Sequence, residues 1–269
     1  MRVVTLNLWK NEGDYERRMH AASSALSALA PDVLLLQEVF RTHDDTVHSA
    51  RFLAGVLEMM FAYAPARSKL RSWGGRAVAS ESGLAVLVRG TIHSQNRLPL
   101  PSDERGGERI ALLVEARVGD LHVFIGCIHL SHLRDDDATR RKQLETVLAA
   151  PGWREHADLR VLGGDCNAPL SSPSLAWIME HPELLVRDTW PAVGARFTHP
   201  IPPRVGRSAR SIDHVFTIVP RHEVHAIETE TRVTFDEPIG DVYVSDHAAV
   251  LVDIRRPGPL PETPCDSQS

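Results

Sequence analysis

Five short apolar runs in this chain carry a carboxylate, amide or imidazole at or near one end. Val3-Val4-Thr5-Leu6-Asn7 ends on Asn7, and the run from Asp32 ends on Glu38. Leu159 to Asn167 ends on Asp165 and Asn167, and Ser211 to Phe216 carries Asp213. Ser245-Asp246-His247 stands just ahead of the apolar run Ala248 to Ile254. Side chains alternate along a strand, so Asp165 and Asn167 point one way and Cys166 the other. A charge buried at a strand end is costly unless a cation or hydrogen bonds compensate it. Five such segments in one chain argue for a shared polar site that holds a cation.

The elements between them alternate. Helical spacing of Met19, Ala22, Leu26 and Leu29 predicts a helix over Tyr15 to Leu29, closed by Pro31. A second helix is expected over Thr46 to Met60, a third over Asp137 to Ala149 and a fourth over Ser174 to His181. Strands are expected over Ser82 to Arg89, Thr91 to Arg97, Glu108 to Val118, Leu121 to Leu130, Leu159 to Asp165, Ile212 to Val219, Val224 to Thr229 and Ala248 to Ile254. Gly119-Asp120 marks a hairpin turn. Helices mixed with hairpin-linked strands predict an α/β chain with mixed sheets covered by helices.

The polar segments span the chain end to end, so residues 1–256 read as one catalytic domain and the Pro-rich, polar 257–269 as a disordered tail. A net charge of −5 gives no general attraction to nucleic acid, and a local basic patch would have to supply it. No apolar run approaches the roughly 18 residues of a membrane span, and no signal peptide is visible. The expectation is a cytoplasmic monomer without membrane insertion. Cys127, Cys166 and Cys265 have neither metal-type nor disulfide spacing. No Gly-x-Ser-x-Gly elbow is present, which removes a serine hydrolase.

Thr5-Leu6-Asn7, Leu36-Gln37-Glu38-Val39, Ile128-His129-Leu130, Gly164-Asp165-Cys166-Asn167, Ile212-Asp213 and Ser245-Asp246-His247, in this order, resemble the endonuclease/exonuclease/phosphatase superfamily of metal-dependent phosphoesterases. The resemblance runs from residue 5 to residue 247. It implies a four-layer α/β sandwich of two packed mixed sheets flanked by helices. Gln37-Glu38-Val39, and His129 where abasic-site endonucleases carry Tyr, look more like deoxyribonuclease I, neutral sphingomyelinases, inositol-phosphate phosphatases and tyrosyl-DNA phosphodiesterase type 2. One departure is Ser211, where many members have Arg two residues before the Asp matching Asp213; here Arg210 lies one residue earlier.

Glu38, Asn7 and Asp246 are the candidate ligands for Mg²⁺ or Mn²⁺, since hard cations take oxygen donors. The resemblance implies that His247 contacts the scissile phosphate or acts as base, with Asp213 orienting its ring. Asp165 and Asn167 would place the attacking water or leaving oxygen, and His129 would donate to a phosphoryl oxygen or protonate the leaving group. His132 reads as a loop histidine. Two loops are candidates for substrate contact, Lys69 to Arg76 and Pro200 to Arg210, the latter through Arg204, Arg207 and Arg210. The expected activity is hydrolysis of a phosphodiester, of nucleic acid or of a small or lipid-derived molecule. The alternatives are a phosphomonoesterase of the inositol-phosphate type and a binding protein that kept the fold without the chemistry.

Overall fold

The computed structural model describes residues 1–103, 105–190, 197–202, 208–223 and 227–255. The strands are β1 (Arg2–Asn7), β2 (Val33–Thr42), β3 (Met60–Trp73), β4 (Arg76–Val88), β5 (Thr91–Leu100), β6 (Arg109–Val118), β7 (Leu121–His129), β8 (Leu159–Asp165), β9 (Leu184–Asp188), β10 (Asp213–Pro220), β11 (Glu228–Thr234) and β12 (Ala249–Arg255). The helices are α1 (Tyr15–Leu29), α2 (Ser49–Leu57), α3 (Asp137–Leu148) and α4 (Pro173–Met179).

The strands form two six-stranded sheets, ordered β11-β12-β1-β2-β4-β3 and β5-β6-β7-β8-β10-β9. Each contains one parallel pair, β1 with β2 and β7 with β8, in an otherwise antiparallel ladder. The inner faces pack through Val3, Leu35, Val86, Leu112, Ile125 and Val161. Leu26 of α1 and Leu53 of α2 pack with Leu36 on the outer face of the first sheet. Leu144 of α3 and Leu175 of α4 pack with Phe216 on the outer face of the second. The four-layer sandwich is therefore present. In such sheets a ligand crevice forms beyond the carboxyl ends of parallel strands. Here those ends carry Asn7 on β1, His129 on β7 and Asp165 on β8.

Helix α1 shows how sequence sets one of these ends. Asp14 accepts from the Arg17 N–H at its start, and the chain leaves it through Ala30 in the left-handed region. Its Arg18 is buried and donates to the carbonyls of Leu8, Lys10, Glu12 and Val244. A buried guanidinium needs such acceptors. Arg18 thereby ties the exit of β1 to the segment that carries Asp246 and His247.

The structure departs from expectation at several places. Lys69 to Arg76 is not a loop. Lys69 to Trp73 ends β3, Arg76 begins β4, and Gly74 and Gly75 make a two-residue turn with φ of 55° and 74°. Such a turn needs positive φ at both central residues. The outer half of this hairpin is mostly exposed, so no continuous buried face imposes the apolar alternation that marks a strand. β9 was not foreseen either, and α2 is shorter than its periodicity suggested. Residues 224–226 of the expected strand from Val224 and the tail 257–269 lie outside the described residues, and β11 starts at Glu228. No helix among the described residues is long and apolar enough to cross a membrane.

Candidate active site

Asp165 and Asp213 are register partners across the antiparallel β8–β10 pair, and Asp165 is also the partner of His129 across the parallel β7–β8 pair. Asp165 is thus delivered to one point by three strands. Its Oδ2 accepts from Asn7 Nδ2 at 3.1 Å, and its Oδ1 accepts from the Asn167 backbone N–H at 2.9 Å. Asn167 turns back with φ of 52° and donates from Nδ2 to the Leu130 carbonyl at 3.2 Å, which pins its amide beside β7.

The Ser245–His247 segment is fixed from the other sheet. Ser245 Oγ donates to the Asn7 carbonyl at 2.6 Å and accepts from the His247 N–H at 3.1 Å. His247 Nδ1 then lies 2.9 Å from Asp213 Oδ2, and its Nε2 lies 3.8 Å from Asp165 Oδ2. Burial works against a charge on this imidazole, but the Asp213 and Asp165 carboxylates outweigh it and push its pKa up to about 10. Asp165 moves upward from the usual carboxylate range, first through burial and then through Asp213, with the His247 charge opposing. His129 lies 3.5 Å from Asp165 Oδ2 and is held neutral by burial and by the Arg109 and Lys10 charges.

Glu38 reaches the same place by a backbone irregularity. β2 does not stop there: it runs to Thr42, and its ladder with β4 slips between Leu36 and Val39. Glu38 occupies the slip with φ of 53°. A bulge re-aims a side chain, and non-glycine residues held in the left-handed region cluster at functional sites. The Glu38 carboxylate pairs with Lys10 Nζ at 2.8 Å.

Glu38, Asn7, Asp246, Asp165, Asn167, His129 and His247 all line one open cleft of about 350 Å³. Asp213 lies buried behind His247. Glu38, Asp246 and Asn7 bring carboxylate and amide oxygens, the donors that hard cations take, to this one polar space, with Asn7 Oδ1 also accepting from the Trp9 N–H at 3.0 Å. Asp165, Asp213 and His247 also bring ligand atoms within 4.8 Å of one another, a second grouping that could hold a cation. The Asp213–His247 hydrogen bond occupies Nδ1 in that grouping, which makes proton and charge chemistry its better use.

Of the two segments expected to contact substrate, Lys69 to Arg76 brings Lys69 and Arg71 to the cleft. Arg210 is exposed and does not line it; its backbone pairs with His199. Arg204 and Arg207 lie outside the described residues. Beside Lys69 and Arg71 of β3, the cleft is walled by two residues outside those segments, Arg67 of β3 and Arg109 of β6. His199 also went unforeseen. Its ring lies against that of His247, centroids 4.4 Å apart, and its Nε2 is 3.8 Å from Asp246 Oδ2. No sequence motif marks Arg67 or Arg109. The alternation of Arg67, Lys69 and Arg71 was visible and would have been informative had the segment been read as a strand.

An Endonuclease/Exonuclease/phosphatase family model matches residues 4–247. The chain belongs to that family, whose members are hydrolases acting on phosphoester bonds. An endonuclease/exonuclease/phosphatase structure from Beutenbergia cavernae is 26% identical, with 96% of this chain and 72% of that one covered and a TM-score of 0.70. Humanized D. rerio TDP2 is 16% identical over 95% of this chain and 98% of that one, with a TM-score of 0.72. D. rerio TDP2 complexed with single strand DNA product gives the same figures, 16%, 95%, 98% and 0.72. No curated protein matches the chain.

Proposed function

We propose that residues 1–256 form one catalytic domain that hydrolyses a phosphodiester with the help of Mg²⁺ or Mn²⁺. The observation that carries this is His247, buried between the Asp213 and Asp165 carboxylates at the edge of a cleft that also holds Glu38, Asn7 and Asp246. Glu38, Asp246 and Asn7 would hold the cation. When bound, it would neutralise charge on the phosphoryl oxygens and on the departing oxygen.

The chain's own groups divide the remaining work. His247 carries a proton at neutral pH, so it serves the scissile phosphate as a cation and hydrogen-bond donor through Nε2. Asp213 holds the ring through Nδ1 and fixes which nitrogen faces the cleft. Asp165, with its carboxyl raised towards neutrality, is the group suited to take a proton from the attacking water. Asn167 positions that water or the departing oxygen. Neutral His129 donates to a phosphoryl oxygen or to the departing oxygen. The single-stranded DNA product found with TDP2 makes a nucleic-acid phosphodiester the first substrate to try.

The test is turnover of bis-p-nitrophenyl phosphate against p-nitrophenyl phosphate, with the protein stripped by EDTA and then resupplied with Mg²⁺ or Mn²⁺. Metal-restored cleavage of the diester is expected. Cleavage of the monoester alone would make the protein a phosphomonoesterase. Cleavage of neither, nor of oligonucleotide or inositol phosphates, would leave a binding protein on this fold.

A further inference from the structure

Arg67, Lys69 and Arg71 take alternate positions on β3, so their side chains share one face of the strand, and all three line the cleft. Successive members of such a row lie roughly 7 Å apart. That is comparable with the separation of consecutive phosphates on an extended sugar–phosphate chain. Among the described residues none of the three has a carboxylate within 4.0 Å. Arg71 is instead aimed by two hydroxyls, donating to Ser80 Oγ and Ser82 Oγ at 3.0 Å each. Across the cleft Arg109 Nε is buried without a hydrogen-bond partner. Arg67 and Arg71 press like charge on Lys69 and lower its pKa. Three cations in a row on one strand face, none in direct contact with a carboxylate among the described residues, offer an anion site beside the Glu38, Asp165 and Asp246 carboxylates of the same cleft.

The row does not stop at the cleft. Lys69 and Arg71 also line an adjoining groove, together with Trp73 and Tyr15. The partly exposed Trp73 ring meets Tyr15 edge-on at 5.0 Å and a tilted Phe40 ring at 5.4 Å. Aromatic platforms beside a basic track accept stacked bases.

We propose that the β3–β4 hairpin is a second-phosphate subsite, in which Arg67, Lys69 and Arg71 hold a substrate phosphate other than the one being cleaved and Trp73 takes the adjoining base. This rests on the phosphodiesterase reading and narrows it. The substrate carries at least two phosphates, as in a short single strand of nucleic acid. A diester with one phosphate and a quaternary ammonium headgroup would place its cation against this row and be repelled.

The test is fluorescence anisotropy with a labelled tetrathymidylate, Mg²⁺ present, in a His247→Ala background so that cleavage does not consume the probe. Inositol hexakisphosphate serves as competitor. R67A/K69A/R71A should weaken tetrathymidylate binding at least tenfold, and the slope of log K against log salt should flatten by roughly 0.7, the value for one phosphate contact on a single strand. Trp73→Leu should weaken the oligonucleotide and leave the inositol ligand unaffected. Lys69→Glu, a change at an exposed side chain, repeats the charge test without risk to the fold. Parent-like affinity and salt slope in the triple variant and in Lys69→Glu would overturn the subsite, as would failure of both ligands to bind. If the inositol ligand binds through the row and the oligonucleotide does not, the strand assignment is wrong. Diester turnover by the parent protein is scored separately, so loss of the phosphodiesterase reading would not be confused with loss of this one.

Discussion

Asp165 and Asp213 face each other across the β8–β10 ladder, and the His247 ring bridges them, 2.9 Å from Asp213 and 3.8 Å from Asp165. Like charges directly opposite on paired strands repel. A buried pair of this kind therefore needs a cation, and an imidazolium supplies one within the protein itself. Asp213 itself is buried and does not line the cleft; its carboxylate sits against the His247 ring and the neighbouring Asp165.

That geometry makes Asp213 and His247 one functional unit. His247→Ala should lower kcat/KM by on the order of 10²–10⁴, the range of general acid–base and hydrogen-bond catalysis. Asp213→Asn should come close to that loss, and the double variant should be barely slower than His247→Ala alone, because units are non-additive. The measurement is kcat/KM for both singles and the double at saturating Mg²⁺. Losses that multiply would mean that the two side chains act independently.

Glu38 is placed by a bulge and held by Lys10, so Glu38→Gln keeps its shape and removes one charge from the donor set. EDTA should abolish turnover of the parent, with recovery on adding Mg²⁺ or Mn²⁺. The variant should need at least tenfold more Mg²⁺ for half-maximal activity, with an unchanged melting profile in metal-free buffer. An activation curve that overlays the parent's would remove Glu38 from the ligand set.

Much of this was legible in the sequence because the site is built from strand ends. Asn7, Asp165 and Asp213 each close or open an apolar run, and such runs are visible without a structure. The two-sheet core was legible for the same reason. What hid was whatever lacked a clear apolar alternation in the sequence. The outer half of β3 is mostly polar and mostly exposed, Leu70 included, so Lys69 to Trp73 reads as a loop. β9 is only five residues long, and Leu185 between the buried Leu184 and Val186 hides its alternation in the sequence. Glu38 looks like a strand terminus because a bulge leaves no mark in composition. Arg18 and His199 act through carbonyls and ring contacts that only the tertiary fold brings together.

Gly164 tests how tightly the strand ends are set. Its φ is 144°, and a Cβ there would meet the Ile128 carbonyl oxygen at 2.0 Å. The neighbouring rung is His129 opposite Asp165. Gly164→Ala must push β7 and β8 apart, at a cost of roughly 2–4 kcal/mol for a strained, overpacked backbone position. Urea unfolding should show that loss, and the residual activity of the folded fraction should fall with it. Parent-like stability would mean that the ladder yields there without strain.

The last prediction concerns a buried pair away from the cleft. His214 Nε2 lies 3.0 Å from the Ala168 carbonyl, which only accepts, so Nε2 carries the proton and Nδ1 is a bare acceptor. Asp188 Oδ1 lies 4.0 Å from that Nδ1, and among the described residues neither atom has a hydrogen-bond partner. Burial pushes the Asp188 carboxyl up to about 6, against the N–H bonds it accepts from Trp190 and Thr189, and burial lowers His214 to about 4. The signs oppose. Asp188, raised in the fold, contributes stability that is full below its unfolded pKa of about 4 and is lost as pH rises through 6. His214, depressed in the fold, contributes stability that is full above about 6.5 and is lost as pH falls towards 4. Over the shared window the two largely cancel. Asp188→Asn is neutral at every pH, still accepts from Trp190, and can donate towards Nδ1. It should therefore exceed the parent in stability by up to roughly 3 kcal/mol near pH 8, with the difference closing by about pH 4. Urea midpoints of both proteins across that range decide it: a constant offset at all pH values would show that Asp188 is already ionised in the fold, and the acceptor–acceptor contact would then need another explanation.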